Sequence, residues 1–267
     1  MSGLGKFMKR DLYLSKPIMN AAGSLGFAPD PRTGIPLDAF GAFVTNPISL
    51  RPRLPTAQPA LIEFPGGFLL HTGLPNPGLS AVLKKCSTRW NHADLPIIVN
   101  LMADRPEEAV HMVRMLESIE NVMAVELGFA PLLTDDLILL NLEMCLGELP
   151  LIFSLPTEQV LTLGPRLIQE GAEAISISSP RGALPLTSSS SPERRGELIT
   201  GRLCGQSLFP RSLDIVNSAT MLGIPIIGAG GVWTDKDAAD MLSTGAMAVE
   251  IDSSLWIPKD ASASHRT

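Results

Sequence analysis

Only three cysteines occur in the 267 residues, Cys86, Cys145 and Cys204, and no two of them form a C-x-x-C pair. An odd, widely scattered set excludes a disulfide framework and fits a reducing, cytoplasmic setting. Four histidines without an H-x-x-x-H pair leave no metal-ligand spacing, so no metal is expected. Charge is also scarce, at 18%, and the surplus is negative: 21 Lys and Arg against 27 Asp and Glu, a net −6. That balance lacks the basic footprint of a nucleic-acid binder or a polybasic membrane anchor. Long apolar runs are missing too. Leu137–Leu155 is broken by Asn141, Glu143 and Glu148, and the first fourteen residues carry Lys6, Lys9, Arg10 and Asp11 in place of a signal-peptide core.

What is present is apolar bulk, 45% of the chain, in short recurring runs. Pro17–Ala22, Ala42–Ser49, Leu95–Leu101, Val122–Leu127, Pro150–Leu155, Glu173–Ser178, Ile224–Gly228 and Met247–Ile251 show little polar alternation. Parallel strands covered on both faces read this way. Stretches of helical length follow most of them. Arg105–Asn121 has Ala109, Val113, Leu116 and Ile119 at near-helical spacing, with Pro106 in its first turn and Asp104 as N-cap. Thr157–Gly171 and Thr234–Gly245 each open on Thr and close on Gly, and Ser207–Gly223 follows a glycine turn.

Spacing then fixes the architecture. Five of the seven intervals between strand starts are about 23–28 residues, one β-α unit each, and two are about double that. Eight units predict a single α/β domain over residues 1–267, a (β/α)8 TIM barrel with two insertions. The first, residues 60–72, reads as a β-hairpin turning at Pro65-Gly66-Gly67 after strand two. The second, residues 181–205, holds Ser188–Ser191 and a charged stretch from Glu193 to Glu197. It is expected to be either a mobile loop over the barrel mouth or a disordered one. Residues 257–267 form a polar tail, so the final helix is expected to be short or missing. A homo-oligomer or heteromeric assembly, in which another subunit covers the bared surface, follows as an expectation.

The densest local signal is IPIIGAGGV (Ile224–Val232) ahead of Thr234. A buried strand ending in glycines and feeding a helix offers bare N–H groups and a favourable dipole to a phosphate. The turn Gly201–Gly205 and the strand-eight end, Asp252-Ser253-Ser254, converge on the same barrel corner. Gly205, Gly230, Gly231, Ser253 and Ser254 are therefore the phosphate candidates. Asp252 is a warning, since a carboxylate beside a phosphate repels it unless it points away.

These motifs together resemble the soluble, class 1 dihydroorotate dehydrogenases. PIMNAAGSLG (Pro17–Gly26) is similar to that family's first strand, AFVTNPISLRPR (Ala42–Arg53) to its second, and GLPNPG (Gly73–Gly78) to the segment after its hairpin. LPIIVNL (Leu95–Leu101), GRLCGQSLFP (Gly201–Pro210) and PIIGAGGV (Pro225–Val232) resemble the third strand, the glycine turn after strand six and the phosphate strand. The resemblance implies FMN as cofactor and hydride transfer between a small substrate and flavin N5, as part of pyrimidine metabolism. Ala21, Ala22 and Gly23 would back the flavin ring, with Asn46 and Asn100 near its polar edge. Asn76 and His71 would lie on the substrate side.

The departures from the family pattern concern the chemistry. Asn46 and Ser154 stand where the family has lysines, and Ser179 and Leu70 where it has asparagines. Phe129 falls where a catalytic base should be. A neutral Ser154 cannot stabilise an anionic reduced flavin, Phe129 cannot take a proton, and Leu70 gives an apolar wall to a ring that needs paired donors and acceptors. Glu126 is the one base the strand ends offer; the alternative is a structural carboxylate paired with Arg181 or Arg202. The reading is an FMN-dependent oxidoreductase turned to an altered substrate. Its alternatives are a true dihydroorotate dehydrogenase with a rearranged site, and a non-catalytic barrel that keeps a phosphate ligand or FMN as a subunit of a larger complex.

Overall fold

The computed structural model describes residues 10–58, 60–186 and 196–256. In chain order the elements are β1 (Ile18–Asn20), β2 (Phe43–Val44), β3 (Ala60–Phe64), β4 (Gly67–His71), α1 (Leu79–Asn91), β5 (Ile97–Met102), α2 (Pro106–Leu116), β6 (Val122–Gly128) and α3 (Asp135–Cys145). They continue as β7 (Leu151–Leu155), α4 (Thr157–Glu170), β8 (Ala174–Ile177), β9 (Arg181–Pro185), β10 (Leu198–Cys204), α5 (Phe209–Met221), β11 (Ile226–Gly228), α6 (Asp235–Thr244) and β12 (Ala248–Ile251). Eight strands pair in the order β1-β12-β11-β8-β7-β6-β5-β2, every neighbour parallel. A parallel bridge between Met19 and Ala42 joins the two ends and closes the barrel. Each apolar run singled out from the sequence contributes one of these strands.

Alternation along the strands divides the core in two. Outside the barrel wall, Phe43, Val99, Leu127, Phe153 and Ile175 pack against the helices. Inside, Met19, Val44, Ile98, Ala124, Ile152, Ala174, Ile227 and Ala248 fill the lower barrel as an apolar plug. Two residues further on, the same inward positions become polar: Asn46, Asn100, Glu126, Ser154, Ser176 and Glu250. This polar layer is the floor beneath the mouth, at the strand ends where barrels of this kind hold their ligands.

Local chemistry accounts for the helix boundaries. Thr234 caps α6 with a full capping box to Asp237, and Gly245 ends it at a φ of +116°. The α4 helix runs from Thr157 as expected, with Pro156 as its N-cap and Gly171 at its end. The α2 helix departs from expectation at both ends. It stops at Leu116, and its N-cap is Arg105, because the Asp104 carboxylate instead accepts the Ala130 N–H at 2.7 Å and ties the β5 and β6 loops together.

The first insertion is the expected hairpin, β3 and β4 around Pro65 and Gly66. The second is not a structureless excursion. Its ends are β9 and β10, which complete a second sheet in the order β3-β4-β10-β9, with Leu69, Ile62 and Ile199 as a small core of its own. The serine run and Glu193 lie outside the described residues, as does the tail 257–267. No α-helix lies between β1 and β2, and among the described residues β12 is followed only by the 3-10 turn Ser253–Trp256. The gap left there is a largely apolar cavity of about 460 Å³ between the β1–β2 segment, at Pro36 and Phe40, and α6, at Ala238 and Leu242.

Candidate functional site

Glu126 anchors the floor of the mouth. It is 1% exposed and accepts from Asn100 Nδ2 at 2.7 Å and from Ser176 Oγ at 2.5 Å, with Glu250 as a third hydrogen-bond partner. Burial raises the Glu126 carboxyl above its ordinary range, while the Ser176, Asn100 and Glu250 hydrogen bonds hold it down. Glu250 is pushed up much further, first by burial and then by the charge of Glu126. Both carboxyl groups are raised, so the pair keeps one proton shared between them. Neither Arg181 nor Arg202 is a hydrogen-bond or ion-pair partner of Glu126, so the expected salt-bridge alternative is replaced by this carboxyl pair. A carboxylate engaged by three donors positions them and has no side turned to the mouth, which does not suit the base role expected of it.

Around this floor the strand ends differ in what they offer. Asn46 accepts the Gly26 N–H through its side chain at 3.0 Å and exchanges a backbone bond with the same residue, so it pins the β1–β2 segment. Ser154 and Ser179 are half-buried at the ends of β7 and β8. Phe129 turns away: its ring stacks on Phe153 in the outer core, with centroids 5.7 Å apart. What faces Asn100 at the end of β6 is Gly128, where an added Cβ would sit 3.8 Å from the amide. Phe129, where a base was expected, thus points away from the mouth, and the residue beside the amide has no side chain.

The glycines divide by what makes them necessary. At Gly231 a Cβ would lie 2.3 Å from Phe209 N at the start of α5, and at Gly230 2.8 Å from Ser212 Oγ. At Gly205, whose φ is +126°, it would lie 2.3 Å from Gly67 Cα. Close chain packing requires these three, and it gathers the β11 loop, the α5 start and the hairpin turn at one corner. Gly23 differs. Its φ is +91°, yet the nearest atoms to a Cβ there are the two terminal guanidinium nitrogens of Arg202 at 3.5 Å. Pro47 Cδ follows at 3.8 Å, so at Gly23 the turn Ala21–Ser24 presents a small surface approached most closely by a movable side-chain tip. Ala21 itself is tied to β12 through Ile251 O at 2.8 Å.

The β12 end closes this corner. Ser254 Oγ donates to Val232 O at 3.2 Å, and Ser253 is buried. Asp252 accepts the Ser253 N–H, turning its carboxylate onto its own neighbour. Burial raises the Asp252 carboxyl, opposed by that bond and by the charge of Arg202. Cys204 is pushed up to about 12 by burial and by Asp252, so it is a neutral thiol. Trp256 covers the turn from above: its indole donates to Ser24 O at 2.8 Å, and Phe68 lies 6.2 Å from it, ring to ring.

Asn76 and His71 are engaged elsewhere. Asn76 Oδ1 accepts from Ser49 N, Ser49 Oγ and Gly78 N at 3.0–3.2 Å, holding the segment after the hairpin closed. His71 sits within reach of Thr56 Oγ1 at 3.2 Å, on the face of β4 opposite Phe68 and Leu70. Two residues of the site, Ser176 and Glu250, carried no signal in the sequence, and neither did the reach of Arg202 to Gly23. Pairing of Glu126 with Glu250 depends on barrel closure, which no local pattern encodes. Among the described residues no group of three or more His, Cys, Asp and Glu side chains could hold a metal ion, and no helix is long and apolar enough to cross a membrane.

The family model for dihydroorotate dehydrogenase matches residues 8–129 and 174–265. The unmatched stretch between them carries the loop after β6, α3, β7 with Ser154, and α4. The catalytic subunit of dihydroorotate dehydrogenase B (NAD(+)) from Pelobacter propionicus is 29% identical over 268 residues, 94% of this chain and 87% of that one. Its counterpart from Trichlorobacter lovleyi is 27% identical over 92% of this chain and 86% of that one. Among solved structures, the ligand-free DHODH of Eimeria tenella superposes with a TM-score of 0.68 at 19% identity, covering 90% of this chain and 79% of that one.

Proposed function

Because this chain belongs to the dihydroorotate dehydrogenase family, we propose that it is an FMN-dependent oxidoreductase of that kind whose substrate differs from dihydroorotate. The observation that carries the reading is the polar floor, Asn100, Glu126, Ser176 and Glu250, lying directly under a mouth whose β1 turn is bare at Gly23. FMN suits these residues. Ala21, Ala22 and Gly23 offer a side-chain-poor surface to a flat ring, and Ser253, Ser254 and the N–H groups near Gly205, Gly230 and Gly231 offer donors to its phosphate. Bound there, the flavin supplies a two-electron acceptor at N5 for a hydride from the substrate.

The chain's own residues do the rest. The Glu126 carboxylate fixes the Asn100 amide, whose side chain lies against Gly128 at the end of β6. Asn46 holds the β1–β2 segment against the mouth. Phe68, Leu70 and Trp256 exclude water from one side. Altered substrate choice is supported by three features: the outward turn of Phe129, the neutral Ser154, and a family match that leaves out the segment between them. The curated relatives are named as catalytic subunits, which together with the apolar cavity beside α6 supports assembly with another subunit. A native mass equal to the 28.5 kDa chain alone would contradict that part.

Anaerobic spectroscopy of the FMN-loaded protein tests the reading. Photoreduced flavin should stay bound and reoxidise on admission of oxygen, while dihydroorotate leaves the oxidised bands unbleached over minutes. Prompt bleaching by dihydroorotate would overturn the altered substrate. Loss of the flavin on reduction would overturn the flavoenzyme.

A further inference from the structure

Two arginines face each other on the sheet that overhangs the mouth. In the β9–β10 ladder Arg202 is directly opposite Arg181, and in the β10–β4 ladder it is directly opposite Leu70. Residues opposed in this way point to the same face of the sheet, so Phe68, Leu70, Arg202 and Arg181 share one surface. That surface looks onto the barrel: the Arg202 guanidinium reaches the space beside Gly23, and Phe68 meets Trp256, which is bonded to Ser24. Like charges directly across a ladder destabilise it, and an anion between them removes the penalty. The half-buried Arg202 guanidinium, with its five N–H donors, forms no hydrogen bond or ion pair with another described residue. Asp252 lies close enough to act on it electrostatically but gives its carboxylate to Ser253.

We propose that Arg202, seconded by Arg181, is the specificity-determining residue of the mouth and binds the carboxylate of an apolar or aromatic acid whose body lies against Phe68, Leu70 and Trp256. The inference rests on the reading of this mouth as the substrate site and names the class of substrate. A planar guanidinium matches a carboxylate bidentately, and the side chains next to it towards the hairpin, Phe68 and Leu70, are apolar, with Thr200 and Glu63 further along the same face. An acid with an unsubstituted apolar body fits this surface better than a ring lined with carbonyl and N–H groups, whose hydrogen bonds would be lost against Leu70.

Calorimetric titration of the purified full-length protein with benzoate, benzamide and orotate tests it, alongside R202Q and R202K. Benzoate should bind at least about 10-fold more tightly than neutral benzamide and more tightly than orotate. R202Q should weaken benzoate about 10- to 100-fold and leave benzamide unchanged, with R202K in between. Equal affinity for benzoate and benzamide, or an unchanged benzoate affinity in R202Q, would overturn the proposal. Tighter binding of orotate than of benzoate would overturn its apolar part. Flavin content is read from the visible spectrum of the same samples. Absent flavin with benzoate binding intact would sink the flavoenzyme reading alone, whereas flavin present with no dependence on Arg202 would sink this inference alone. Matching thermal melts of the variants exclude misfolding as the cause.

Discussion

Two carboxyl groups inside a protein can share a proton at low cost only if every other lone pair nearby is answered, and the floor of this barrel meets that condition. Glu126 takes donors from Asn100 and Ser176, and Glu250 supplies the third. The proton shared by Glu126 and Glu250 is what ties the pair to pH. An acid whose folded pKa is raised binds a proton in the folded chain that it loses in the unfolded one above its ordinary value of 4.5. Stability therefore falls as pH rises from about that value towards the raised folded pKa. Glu250→Gln provides an amide donor that needs no proton. It should be more stable than the wild type at neutral and alkaline pH, on the order of 1–3 kcal/mol, and its stability should decline less with pH. Urea denaturation from pH 5 to 9 checks this, and parallel curves for the two proteins would contradict the shared proton. Part of the residue picture was legible in the sequence: the glycines and the small β1 turn lie at the strand ends where the apolar runs place them. Their individual roles were not, because Gly230 and Gly231 are fixed by α5, a neighbour that only the closed barrel brings near. Gly230→Asp would thus disturb packing against Ser212 whatever it did to a ligand.

At the scale of elements, the barrel strands and the first hairpin follow directly from apolar runs and from Pro65-Gly66-Gly67. The second insertion shows where such reading ends. Arg181–Pro185 and Leu198–Cys204 have few of the branched apolar residues that mark a strand, and their partner is the distant hairpin, so their pairing is tertiary in origin. Asp104 shows the same limit on a smaller scale. It is well suited to cap α2, yet it serves the Ala130 N–H. The overhanging sheet depends on one close approach, Gly205 against Gly67. Gly205→Ala, with a Cβ 2.3 Å from Gly67 Cα at a φ of +126°, should cost about 2–4 kcal/mol. Hydrogen exchange locates the damage: protection should fall across residues 67–71 and 198–204 while β5, β6 and β7 keep theirs. Uniform loss over the barrel would mean that the sheet is not a separate cooperative unit.

The whole molecule is a parallel barrel with an apolar plug, a polar floor and a four-stranded sheet carried over one side of its mouth. Interval arithmetic on the sequence was sufficient for the barrel because each β-α unit needs a fixed length of chain. It could not reveal that the β1–β2 unit lacks its helix, since that segment spends a normal length on two 3-10 turns. Beside this segment an apolar cavity separates it from α6, and among the described residues no α-helix covers that flank of the barrel. A family member that keeps the small β1 turn and the glycine–serine corner, but has neutral groups where its relatives' pattern has lysines, should still bind FMN while handling a different substrate. Flavin retention tests this account most directly. The visible spectrum of the purified chain, supplemented with FMN and passed through gel filtration, should retain flavin bands that co-elute with the protein. A colourless protein peak, with all flavin in the small-molecule fractions, would contradict it.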